Sequence, residues 1–169
     1  MQDAIKIFGE TIGFWVQTGA FVLSALGAVG VIWHNGKAAK RRATIDLIIS
    51  EQRDIEYNQK YASVSKLINS ELSLVDFAKY LDKPGDEPSE DCGNVLFVLN
   101  RLEFIAQGIR VGAFEEKIFK DLKCTNFLKL WRAVNPLISE IRRKKEVYTY
   151  FQEIEWLAVR WERNKIEKL

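Results

Sequence analysis

His34 is the only histidine in a chain of 169 residues, and that fact removes much of the chemistry a protein of this size could carry. A histidine-activated nucleophile needs partners beside the imidazole, and a zinc site needs several nitrogen, sulfur or carboxylate ligands together. The two cysteines, Cys92 and Cys124, stand far apart, form no C-x-x-C pair and have no histidine near them in sequence. They read as buried thiols of a reducing compartment, not as ligands or as a disulfide framework. No Walker-type G-x-x-x-x-G-K-[ST], G-x-G-x-x-G or H-E-x-x-H pattern occurs. The expectation is therefore no enzyme, no cofactor, no metal and no small-molecule substrate.

Two polar constellations remain. Asn100, Glu103, Gln107 and Arg110 follow at spacings of three, four and three, which puts them on one face of a helix. They form a candidate recognition face, or a buried hydrogen-bonded network with a basic partner such as Arg132, or a solvated face opposite an apolar stripe. Any catalysis the chain carries would centre on Glu103. The run Arg142, Arg143, Lys144 and Lys145 is the densest positive patch. It is a candidate lipid contact, since each basic residue near an anionic leaflet contributes about 1 kcal/mol. It also suits a helix C-terminus, whose dipole favours cations. Phosphate contact is a third use, but a net charge of +2 gives nucleic acid little support.

These groups must be positioned by helices. The charged share of 28% and the apolar share of 47% suit a folded chain. With three prolines in all, long stretches run without a breaker. From Thr11 to Gly36 no Asp, Glu, Lys or Arg occurs. A bilayer core about 30 Å thick takes about 20 helical residues, so residues 12–34 predict a transmembrane helix. Trp15 and Trp33 lie roughly 27 Å apart at 1.5 Å per residue, close to the spacing of the two interfacial belts. Lys37, Lys40, Arg41 and Arg42 follow at once, against Lys6 alone before the run. Positive charge stays inside, so residues 1–11 are expected outside, residues 35–43 form a basic juxtamembrane segment, and residues 44–169 form a cytoplasmic domain at the inner membrane. A buried core helix or a cleaved signal peptide are the competing readings. The run is long for either, and its start is not basic. Gly13, Ala20, Ser24 and Gly27 share one helical face, where small side chains let a second helix approach closely.

Beyond the run, Ile45, Ile48, Gln52 and Ile55 predict one buried face, and Tyr57, Tyr61, Val64 and Ile68 a second, with a bend or new helix near Tyr57. Ser73 predicts the cap of a short helix burying Leu74, Phe77, Ala78 and Leu81. "DKPGDEPSED", Asp82 to Asp91, predicts a loop. Val95, Val98, Leu99, Leu102, Ile105, Ala106 and Ile109 predict a helix over about 91–110, ended by Gly112 or by Gly108. Phe114, Ile118 and Leu122 mark a short helix, and Phe127, Leu130, Trp131 and Val134 another. Asn135 and Pro136 kink or restart the latter. Val147, Phe151, Ile154, Ala158 and Trp161 give the last helix a coiled-coil-like seam. No segment sustains period-two alternation. The fold class expected is all-α, one transmembrane helix followed by a cytoplasmic bundle of about five to six helices.

"VLNRLEFIAQGIRVGAFEEKIF", Val98 to Phe119, together with the closing "WLAVRWERNK", resembles a bacterial and phage family known as domain of unknown function 4760. The resemblance rests most on Asn100, Glu103, Gly108, Gly112 and Trp161. It implies a membrane helix and a helical cytoplasmic part, and implies no chemistry. The function expected is a single-pass, membrane-anchored interaction or scaffold domain, partnered by the lipid bilayer and by a second copy of itself or another membrane protein. The alternative is a membrane-acting effector, of phage-exclusion or toxin type, that assembles through its transmembrane helix.

Overall fold

The apolar run becomes one uninterrupted helix. The computed structural model describes residues 6–7, 10–70, 73–82 and 85–163. The chain divides into two units, Met1–Ala39 and Lys40–Leu169, and helix α1 (Ile12–Arg53) extends from the first into the second.

In the first unit, strand β1 (Lys6–Ile7) pairs antiparallel with β2 (Glu10–Thr11), Lys6 opposite Thr11 and Ile7 opposite Glu10. Two-residue strands are too short to show period-two alternation in sequence, so they were not foreseen, and the class remains all-α. Thr11 Oγ1 accepts the amide of Phe14 at 3.3 Å and so caps the first turn of α1. Through the apolar stretch nearly every side chain is exposed. This is one helix long and apolar enough to cross a membrane, and none of its apolar window is buried. The Lys37 ammonium lies 3.5 Å over the Trp33 ring.

The second unit is built from helices joined by short non-helical segments among its described residues. Asp54 separates α1 from α2 (Ile55–Asn69), and its carboxylate accepts the Tyr57 amide at 2.9 Å. The break foreseen near Tyr57 is thus an N-cap three residues earlier. Tyr57 and Val64 are buried as expected, with Tyr61 and Ile68 packed beside them. The first expected face is corrected. Of its members only Ile48 is buried; Ile45, Gln52 and Ile55 are exposed, and α1 buries Thr44 and Glu51 beside Ile48. A threonine and a glutamate on the buried side disguised the stripe.

Leu74–Leu81 folds as a 3-10 helix after Ser73, whose side chain makes no capping bond. The expected loop at Asp82 to Asp91 ends two residues early, at Ser89. Its residues 83 and 84 lie outside the described ones. Ser89 accepts the Cys92 amide at 3.3 Å and starts α3 (Glu90–Arg110), with Glu90 and Asp91 at its positive end. All seven stripe residues predicted for this helix are buried. Gly112, at φ +81°, ends it in the left-handed conformation glycine adopts freely.

Helix α4 (Glu116–Lys145) replaces the two or three helices expected there. Pro136 sits inside it with its side chain exposed. A proline in a helix interior costs about 3 kcal/mol. Leu137, Ile138 and Ile141 continue the buried side of Phe127, Leu130, Trp131 and Val134 across it without a change of phase. Burial of each such side chain is worth about 1.5–3 kcal/mol, so packing outweighs the break. Leu122, expected on the apolar side of a short helix with Phe114 and Ile118, is exposed.

Helix α5 (Gln152–Arg163) begins only after Phe151, and Val147 is exposed. The seam of Ile154, Ala158 and Trp161, joined by Leu157, is buried inside the unit. Helices α2 and α5 pack on α3, α5 also packs on α4, and the 3-10 helix lies along α4.

Candidate functional site

The polar face on α3 divides. Asn100, Gln107 and Arg110 are exposed, while Glu103 is half-buried. Its two carboxylate oxygens accept the backbone amides of Glu153 (3.1 Å) and Ile154 (2.9 Å). Those amides belong to the first turn of α5, where no intrahelical acceptor exists. Glu103 is thus the N-terminal cap of a helix remote in sequence. Burial pushes its carboxyl above the usual range, against the two amide bonds that favour the ion. Arg110 reaches the same turn from outside, 2.9 and 3.0 Å from the Glu153 oxygens. Arg132, considered from sequence as a partner for Glu103, instead pairs with Glu162 at 3.1 Å.

The basic run at the end of α4 is engaged internally. Arg142 Nε donates to the Tyr150 carbonyl at 2.8 Å, and its Nη1 to Glu155 at 2.7 Å. Arg143 forks onto Glu140 at 2.7 and 2.8 Å. Lys144 donates to the Ala78 carbonyl at 3.0 Å and pairs with Asp82, both on the 3-10 helix side. Lys145 lies 5.0 Å from the centre of the Tyr150 ring. These contacts hold a tight α4–α5 turn in which Glu146 (φ 53°) and Phe151 (φ 57°) take the left-handed conformation. A buried phenylalanine there is strained by about 1–3 kcal/mol.

The membrane-facing residues predicted from sequence all lie on α1. Trp15, Trp33, Lys37, Arg41 and Arg42 are exposed and Lys40 is half-buried. Gly13, Ala20, Ser24 and Gly27 are exposed too, and a Cβ added to Gly27 would meet nothing within 4 Å.

One polar centre was not foreseen. Glu51, in the last turn of α1, is 2% exposed, with Arg101 Nε 3.8 Å from its Oε1 and Lys123 Nζ 3.8 Å from its Oε2. Both separations exceed hydrogen-bond length. Glu51 Oε1 and Arg101 Nε are buried without a hydrogen-bond partner. Burial drives the Glu51 carboxyl upward, more than the two cations pull it down. The phenol of Tyr57 is driven far up by burial and then by the Glu51 charge, so it remains a neutral hydroxyl.

A cavity of about 160 Å³ opens on Glu51 and is lined also by Tyr57, Tyr61, Phe119, Lys123 and Phe127. A second hollow of about 200 Å³ shares Tyr61, Asn126 and Leu130 with it and continues to Ser65, Asn69 and Lys129. Lys129 Nζ donates to Asn69 Oδ1 at 2.7 Å. The two hollows adjoin along α2 and α4, and the first is walled also by Glu51 of α1 and Leu102 of α3. The sequence signal was available in the spacing of Thr44, Ile48 and Glu51, a helical stripe that ends on a charge just before two tyrosines.

The sequence model of the family described as Domain of unknown function (DUF4760) matches residues 14–161. No curated protein and no solved structure matches the chain. The match includes the apolar part of α1 and ends at Trp161, whose indole is fully buried and donates to Glu116 at 3.1 Å.

Proposed function

The chain belongs to the DUF4760 family, and from that premise we propose that it is a single-pass membrane protein whose helical unit serves in the cytoplasm as an interaction or scaffold domain, without catalysis of its own. The observation that carries this reading is the row of exposed apolar side chains on α1. Phe21, Leu23, Leu26, Val29, Ile32 and Trp33 are all open. A contiguous apolar surface of that kind is a membrane or partner surface. A helix satisfies its own backbone hydrogen bonds, so it is one of the two structures that can cross lipid.

Supporting it, the family match starts at Phe14, inside the apolar run, so the family pattern treats the run and the helical unit as one protein. A leader destined for removal fits that less well. The charges at Lys37 to Arg42 favour a cytoplasmic second unit. The open face of Gly13, Ala20, Ser24 and Gly27 favours pairing with a second copy or another membrane helix. The seam of α5 cannot serve that pairing, because its own unit buries it.

Alkaline carbonate washing of bacterial membranes holding the full chain tests the anchor. Retention in the pellet, with a C-terminal tag protected from protease in intact spheroplasts, supports the reading. Release into the wash, or digestion of the tag from outside, overturns it. Crosslinking in the same membranes that captures only monomer removes the pairing. Loss of membrane potential on induction, read with a potential-sensitive dye, favours the effector alternative instead.

A further inference from the structure

Helix α1 keeps an open face beyond the apolar run. Counting back from Ile49, steps of four and three residues fall in alternation on Ile45, Arg42, Ala38, Asn35 and Val31, and reach Ser24 within the run. Every position of this row is exposed. An unbroken period of 3.5 residues is that of helices wound in a left-handed coil. Thr44, Ile48 and Glu51 are the buried residues of α1. The row lies roughly 110° round the helix from them, at 100° per residue. A hollow along Asp46, Ile49, Ser50 and Arg53 adjoins it there.

Lipid can cover the first part of the row but not the last. Ile45 and Ile49 come eleven and fifteen residues after His34, about 16 and 22 Å along the helix. The headgroup layer adds only about 5–8 Å beyond the hydrocarbon on each side. The cover for the two isoleucines is therefore protein. Three features select a second copy of this chain. An anchor holds all copies parallel and at one depth, so like residues meet across a two-fold axis. In that arrangement Arg41, beside the row, stands opposite Asp46 of the second copy, five residues further on, which is how flanking charges pair in parallel coils. Arg42, inside the row, turns to Asp46 of its own chain at 3.8 Å and so carries its charge to the edge. Asn35 meets its own copy, and a lone amide in such a row fixes register and a two-stranded state.

We propose that α1 pairs in parallel with α1 of a second copy along this row, and that the pairing continues past the bilayer as far as Ile49. The parallel orientation rests on the anchor reading above.

The test is disulfide crosslinking of the full chain in bacterial membranes, with one cysteine introduced at a time. Cys92 and Cys124 are buried, and the unsubstituted chain reports their background. Ala38→Cys, Ile45→Cys and Ile49→Cys lie on the row. Ala43→Cys and Ser50→Cys are at exposed positions too, about a third of a turn away. Dimer yields at the first three should exceed those at the other two severalfold. Arg41→Asp should lower the yield of Ile45→Cys severalfold, and adding Asp46→Arg should restore it. Equal yields at all five positions, no dimer at any, or no rescue by the reversed charges overturns the proposal. Carbonate washing of the same membranes separates the two readings. Chain in the pellet without the positional pattern removes the row and leaves the anchor, whereas chain in the wash with the pattern intact removes the anchor and leaves the pair.

Discussion

Glu103 of α3 caps α5 through the amides of Glu153 and Ile154, fifty and fifty-one residues further along the chain. Helix caps are usually local, and this one ties two packed helices together as well as ending one. Replacing Glu103 with Ala should destabilise the unit by about 1–2 kcal/mol, the cost of a lost cap. Glu103→Gln keeps one acceptor oxygen and should cost less. Denaturant melts of the two variants check the order, and equal losses would mean that the carboxylate's packing, not its acceptors, matters.

Glu51 predicts an inverted response to pH. Its carboxyl is raised in the folded state above the ordinary 4.5, so folding favours the protonated form. The stability from that preference is complete below about the ordinary value and disappears as pH rises through the folded one. Glu51→Gln removes the buried charge and should melt higher than the wild type at pH 7. Below pH 4.5 the two should converge. Thermal melts at several pH values decide it, and a variant that melts lower at pH 7 would show that Arg101 and Lys123 outweigh burial.

Glu116 responds the other way. Burial pushes its carboxyl up, but hydrogen bonds from Arg160 (2.8 Å) and Trp161 (3.1 Å) outweigh that and hold it below the usual range. Its contribution is present above the ordinary 4.5 and is lost as pH falls through the depressed value. Glu116→Ala leaves the buried indole N–H of Trp161 without its acceptor, at a cost of about 1–3 kcal/mol. The gap between wild type and variant should narrow in acid.

Gly108 is fixed by Phe114. A Cβ on Gly108 would stand 2.3 Å from two carbons of that ring, while the Ala113 and Phe114 amides both bond the Gly108 carbonyl at 2.8 and 3.1 Å. Alanine in mid-helix ordinarily gains about 1 kcal/mol over glycine. Here Gly108→Ala should lose about 1–3 kcal/mol through overpacking. Adding Phe114→Ala removes the clash, so the double variant should cost less than the two single losses combined. Additive losses would sink the explanation.

The sequence made the helical class and the buried stripe of α3 legible, because seven apolar residues at helical spacing admit few other readings. Gly112 was legible for the same reason, since only a left-handed position follows naturally there. Pro136 misled: local propensity argues for a break, and long-range burial of Leu137, Ile138 and Ile141 overrides it. Glu51 was hidden because a charge reads as surface until its two cationic neighbours, on α3 and α4, are known. Glu103 stood out by spacing, but its role depends on a turn fifty residues away. The basic run at Arg142 to Lys145 was legible as a helix C-terminus or a lipid contact, but not its contacts with Tyr150, Glu155 and the 3-10 helix, which depend on chain segments far from it in sequence or on the turn that follows.

Asn58 gives the α1–α2 junction a property that its single connecting residue would not suggest. Its side-chain amide lies 3.2, 3.1 and 2.8 Å from the carbonyls of Glu51, Gln52 and Asp54, so one side chain spans the end of α1 and the cap of α2. Glu51 and Tyr57 stand on opposite sides of that junction, and both border the first hollow. Their backbones are therefore held as one unit with both helices, and hydrogen–deuterium exchange across residues 51–58 should be as slow as in the helices on either side.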